Sequence, residues 1–137
     1  MLSTVIDIVN FEKGSGSLIF PKIFRGDSST CEIRCHAIAQ KKTDLMDVYE
    51  PHFIVCTASS FKKDCMSNQY NVLGMFLPTT TTNELHQLTT GPIVGLSAAP
   101  QQIRFFLVNH KREKLTGFEG CLMVELCGKV LDPMFLA

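Results

Sequence analysis

Apolar and polar side chains alternate along this chain with a period of two, in short runs cut by turn residues. A side chain that changes face at every step belongs to a pleated strand with one dry and one wet side, so the chain is confined to architectures built from sheets. The run from Thr30 to Ile38 is the cleanest. Cys31, Ile33, Cys35 and Ala37 fall on one face, and Glu32, Arg34 and His36 on the other. From Gln102 to Val108, Ile103, Phe105 and Leu107 oppose Phe106 and Val108. From Phe118 to Cys127, Leu122, Val124 and Leu126 oppose Cys121, Met123, Glu125 and Cys127.

Weaker signals fill the rest. Ser3 to Val9 is rich in β-branched residues and ends at a polar turn region, Glu12 to Gly16. Leu18 to Phe20, continued by Ile23 and Phe24, is broken by Pro21, which cannot donate to a ladder and so implies a bend or an edge. His52 to Ala58 places Phe53, Val55 and Thr57 opposite His52, Ile54 and Cys56. Tyr70 to Leu77 is ended by Pro78, and its Gly74 marks a bulge or a close backbone approach. Thr79 to Thr82, with Thr89 and Thr90, mark a polar region around Leu85 and Leu88 where a short edge strand is expected, and a weak apolar segment spans Ile93 to Leu96. Lys41 to Glu50 is the one stretch with helical spacing, through Leu45, Met46 and Tyr49, and reads either as a short helix or as a loop. The sum is about eight short strands separated by turn signals: an all-β fold, either a two-sheet sandwich or a small closed barrel. With no internal repeat and no linker, residues 1–137 read as one domain.

Charge and composition narrow the function. Thirteen Lys and Arg balance thirteen Asp and Glu, so the chain lacks the basic excess expected of a nucleic-acid binder or an anionic-membrane binder. With 45% hydrophobic residues it is too apolar to be disordered, yet no apolar run approaches the roughly 20 residues needed to cross a bilayer. The N-terminal stretch lacks a basic region and a small-residue cleavage site, and Asp7 interrupts it, so secretion is not expected. Six cysteines sit mostly within apolar stretches, which predicts reduced thiols packed as small hydrophobes in an intracellular setting.

No constellation of reactive residues stands out. Cys31, Cys35 and His36 are the nearest to a zinc site, but the two thiols share a strand face and the imidazole lies on the other, so the three cannot converge on one ion. His52 and Cys56 share a face about 13 Å apart, beyond hydrogen-bond reach. Asp44, Asp47 and Glu50 read as a solvated acidic face, and Glu125 as a residue of an exposed edge. Gly14 and Gly16 lack the third glycine and the helix of a phosphate loop. Lys111 to Lys114 reads as a solvated loop with no aromatic platform beside it. No catalytic residue, cofactor or metal is therefore assigned. The apolar tail Met134 to Ala137 must be covered, either by folding back or by inserting into a neighbour.

The second half carries a recognisable cadence. Tyr49-Glu50-Pro51-His52-Phe53-Ile54-Val55-Cys56 leads through a polar loop to Asn71-Val72-Leu73-Gly74-Met75-Phe76-Leu77-Pro78. Ile103 to Asn109 follows, then a turn, then Leu115-Thr116-Gly117-Phe118-Glu119-Gly120 and the strand to Leu126. Across residues 49–127 this resembles the C-terminal part of the small penton-like minor capsid proteins of polinton and adintovirus-type elements. The turn His110 to Lys114 departs from the acidic residue and glycine usual in that family. The resemblance implies a single jelly roll of eight short strands in two sheets, and no catalytic residues. It implies a structural capsid or vertex protein, located in the virion or within the cell. The partners would be further copies of itself, most plausibly five in a closed ring, and a larger capsid protein. Val5, Ile6 and Ile8 in the first strand, and Met134, Phe135 and Leu136 in the tail, are then the expected subunit contacts. Two other readings compete. One is an intracellular β-sandwich or barrel that binds a small apolar ligand or a peptide, its ten Phe and six Met lining a cavity. The other is a metal-dependent cupin-like enzyme, which would need a His-x-His that this chain does not have.

Overall fold

The computed structural model describes residues 2–19, 31–43, 50–57, 71–80, 83–88, 94–96 and 102–129. Within them the alternating runs form nine antiparallel strands: β1 Leu2–Phe11, β2 Ser15–Ile19, β3 Cys31–Lys42, β4 His52–Thr57, β5 Asn71–Phe76, β6 Glu84–Gln87, β7 Val94–Leu96, β8 Gln102–Val108 and β9 Glu119–Lys129. There is no helix among the described residues. Lys41 and Lys42, expected to start a short helix or a loop, instead end β3, and residues 44–49 lie outside the described set.

The pairings are nested. β1 pairs with β9, β2 with β8, β3 with both β6 and β7, and β4 with β5, as in one long hairpin whose tip is the β4–β5 connection. Rolling that hairpin up brings β3 beside β9 and β4 beside β8. Two sheets result: sheet A, ordered β1-β9-β3-β6 with β7 also on β3, and sheet B, ordered β2-β8-β4-β5. This is a jelly roll. The short strands β6 and β7 share one strand position, so nine elements fill the eight expected.

The inward faces of both sheets feed one hydrophobic cluster. Ile33, Ile38, Leu122, Val124 and Leu126 of sheet A meet Ile54, Ile103, Phe105 and Leu107 of sheet B, all fully or almost fully buried. One end is plugged by rings. Phe118 stands edge-on to Phe11, Phe76 and His52, with centroids 5.6–6.4 Å apart. At the same end the β1–β2 turn passes through Gly14 at φ +76°, where any Cβ would collide with the Leu115 carbonyl. Gly14 N donates to Phe118 O (2.9 Å) and Leu107 N to Gly14 O (3.0 Å), tying that turn to the β8–β9 connection.

The facing of β8 and β9 is as the alternation requires. In β3 a bulge between Cys35 and Ala37 resets the phase. Ala37, expected inward with Cys35, is half-buried on the outward side, and Ile38 takes the buried position. A second irregularity lies opposite Gly74, where Ile54 pairs with Gly74 and Val55 with Val72. The short edge strand expected in the threonine-rich region around Leu85 and Leu88 is β6, Glu84–Gln87. Thr79 and Thr80 are not in a strand, and residues 81 and 82 lie outside the described set, as do Phe20, Ile23 and Phe24.

Candidate functional site: the two outward faces

With the inward faces spent on the core, the side chains available for function are those on the outward faces. In β1 the even positions point out. Ile6 is 54% exposed and Ile8 48% exposed, whereas Val5 turns inward and packs against the core. Of the three first-strand residues expected to meet another subunit, two therefore share the outward side and the third belongs to the interior. Met134, Phe135 and Leu136 lie outside the described residues.

The outward side of sheet A continues across its strands. Ile8 is in register with Met123, and Met123 with Ala37. One row along, Asn10, Cys121, Ala39 and Leu85 are in register. Met123 and Leu85 are exposed, so an apolar band runs from the β1 edge to β6 over small alanines. Met123 and Leu85 were missed in the sequence: an apolar residue at an outward position is visible there only once the inward face of its strand is known. Cys121 Sγ donates to Asn10 Oδ1 at 3.1 Å. At the border of the band, His36 Nε2 and Glu125 Oε2 lie 2.5 Å apart, within hydrogen-bond distance. β9 is an interior strand of sheet A, so Glu125 is not the edge residue the sequence implied; it lies between Ile6 on one side and Arg34 on the other.

Sheet B is built differently outside. Val55 and Val108 are buried although they point outward, Phe53 and Phe106 are half-buried, and Val72 and Met75 are exposed. Phe53, Val55, Val72, Val108, Asn109, His110 and Arg112 line a groove of about 260 Å³, and of these His110 and Arg112 are exposed loop residues. The connection after β8 is shaped by Asn109, whose Oδ1 accepts from Lys111 N and Glu113 N, both at 2.9 Å. Arg112 adopts φ +65° there. An aromatic platform does adjoin this basic loop, contrary to the sequence reading. Lys114 Nζ sits 4.5 Å from the centroid of the Phe106 ring, and Arg104 Cζ 5.5 Å from it.

The chemistry-bearing side chains have structural surroundings. Cys35 and Cys56 are buried thiols in no disulfide, and burial pushes Cys35 up to about 12 and Cys56 higher still. Cys121 and Cys127 are free thiols on the outward side of sheet A. Cys35 faces the core and His36 the outside, as the strand phase requires. Among the described residues no three His, Cys, Asp or Glu side chains group as metal ligands. Gln40, inward and buried, donates to Thr79 O (2.7 Å) and accepts from Thr79 N (3.1 Å), pinning the segment before β6. His86 Nε2 donates to Gln40 Oε1 at 2.9 Å, and partial burial lowers the His86 pKa against the opposing pull of Glu84. Compared with known proteins, the chain matches no family model and no curated protein.

Proposed function

We propose that the chain is a structural subunit that assembles with copies of itself: a capsid or vertex, penton-like component of viral or transposon origin, working without catalysis beside a larger capsid protein, in the virion or within the cell. The observation that carries this reading is the outward side of sheet A. Ile6, Ile8, Met123 and Leu85 stand in water there, and covering apolar surface is worth roughly 25 cal/mol per Å². Beside them runs β1, a ten-residue edge strand. A long apolar edge is a template for another chain unless something covers it. Contacts of this kind between unlike surfaces close into rings when the rotation allows.

The test is size-exclusion chromatography with multi-angle scattering, followed by negative-stain imaging. The expected result is a mass that is a multiple of 15.3 kDa, with rings in the images. Ile6→Lys with Ile8→Lys should lower the mass of the assembly, and at concentrations where the parent is also dissociated should leave the thermal midpoint unmoved, because neither side chain is in the core. A full chain that stays at single-chain mass at high concentration overturns the reading.

A second reading, the binding module for an apolar ligand or peptide, draws its support from the groove on sheet B. At about 260 Å³ that groove falls below the ~300–1,000 Å³ usual for small-molecule sites. Its size favours a few side chains of a peptide over a free ligand.

A further inference from the structure

The sheet B groove combines apolar strand residues with a cation in its lining. Phe53, Val55, Val108 and Val72, the last 47% exposed, line it together with the exposed loop residues His110 and Arg112. Lys111 is exposed in the same loop, and Lys114 and Arg104 flank the neighbouring Phe106. From Asn109 to Lys114 the only acid is Glu113, on a chain whose total charge is zero. The chemistry that fits is an apolar extended segment carrying a carboxylate.

One such segment belongs to this chain. Val130-Leu131-Asp132-Pro133-Met134-Phe135-Leu136-Ala137 is apolar except for Asp132. Pro133 has no N–H to offer a ladder, which suits insertion of side chains into a groove better than strand addition. Reach decides whose groove it meets. β9 enters at Glu119, beside the plugged end where Phe53 pairs with Val108, and leaves at Lys129 beside Leu2. That run covers about 33 Å. Eight extended residues span at most about 28 Å, and the path to the groove must also round a sheet edge onto the opposite outward face. The groove of the same chain is out of reach, whereas that of a neighbour is not.

We infer that the sheet B groove, with Arg112 in its lining, binds residues Val130–Ala137 of a second copy of this chain, Asp132 meeting the cations; this rests on the self-assembling reading above. The contact joins unlike surfaces and repeats head to tail. It gives the assembly a second interface, separate from the band on sheet A.

Charge exchange in the full chain tests it. Arg112→Glu alone and Asp132→Arg alone should each weaken association about tenfold, the size expected for losing one partly exposed ion pair and gaining a like-charge contact. Both changes in one chain should restore it. So should mixing the two single variants, since one keeps an intact tail and the other an intact groove. Val72→Asp, at an exposed lining position, should weaken association by a route that leaves the loop untouched, and unaltered circular dichroism would show that each variant is folded. Single variants that associate like the parent overturn the inference, as does a mixture that fails to recover, which is the result if the segment docks within its own chain. A parent chain that is monomeric defeats the self-assembling reading itself. A parent that assembles, with variants that do not differ from it, defeats only the groove.

Discussion

Sheet A and sheet B share one core and both leave apolar side chains outside, but only sheet B also sinks part of its outward side. Sheet A is built on long strands, β1, β3 and β9, of ten, twelve and eleven residues, and leaves Ile6, Ile8 and Met123 in water. Sheet B has strands of five to seven residues, and outside it sinks Val55 and Val108 and lays two cations against Phe106. The difference teaches that an apolar outward residue has two distinct fates in one sandwich. On sheet B part of the hydrophobic surface is already satisfied within the chain and what is left is a groove. On sheet A the surface is flat and still open to a partner.

Three measurements break or sharpen that contrast. The largest effect is expected for the thiols. Sheet A carries Cys35 inward and Cys121 and Cys127 outward, while sheet B carries Cys56 inward. A rise from 9.0 to about 12 cuts the thiolate population of Cys35 about a thousandfold. Site-resolved alkylation at pH 8 should modify Cys121 and Cys127 first, with Cys35 and Cys56 at least about a thousandfold slower until the protein unfolds. Comparable rates would mean that the sheets do not pack as described.

Next come the two sheets' inward leucines. Leu122 lies on interior strand β9 and Leu73 on edge strand β5, both almost fully buried. Leu122→Ala should cost about 4 kcal/mol and Leu73→Ala about 2.5 kcal/mol in urea unfolding, because a cavity collapses more readily at a sheet edge. The reverse order would remove sheet A from its place as the spine of the fold. The smallest effect separates the outward faces. Val55→Ala removes two buried carbons, at ~0.8 kcal/mol each, and should lower stability by about 1.5 kcal/mol. Ile8→Ala, measured at concentrations where the chain is dissociated, should stay within about 0.5 kcal/mol of the parent. Equal costs would erase the distinction between a covered and an open face.

Much of the fold was legible in the residues. β8 and β9 alternate without interruption, and their inward sets are those the pattern shows. β4 was not legible in the same way. With Phe53 and Val55 on one side and Ile54 and Cys56 on the other, both faces are apolar, and the structure turns His52, Ile54 and Cys56 inward. His52 is buried against the rings of Phe76 and Phe118, with Nδ1 3.1 Å from the Glu50 carbonyl oxygen. The alternation groups His52 with Ile54 and Cys56, but which of the two faces is inward is decided only by the packing of the sheets. The candidate surfaces were legible in part: Ile6 and Ile8 stood out in the first strand, while Met123, Leu85 and the groove could be seen only after the strands were paired.

Alone, then, the sequence determined that the chain forms strands and where most of them run, because alternation and turn residues act between neighbours along the chain. The tertiary structure decided which strands pair, where β3 slips by one residue so that Ala37 and Ile38 exchange roles, and that Glu125 sits mid-sheet opposite Arg34 and within hydrogen-bond distance of His36. Those outcomes depend on register between segments far apart in sequence, such as Leu2 against Lys129 and Cys31 against Gly128. Register is chosen by burying both inward faces at once, a condition that no single segment can express.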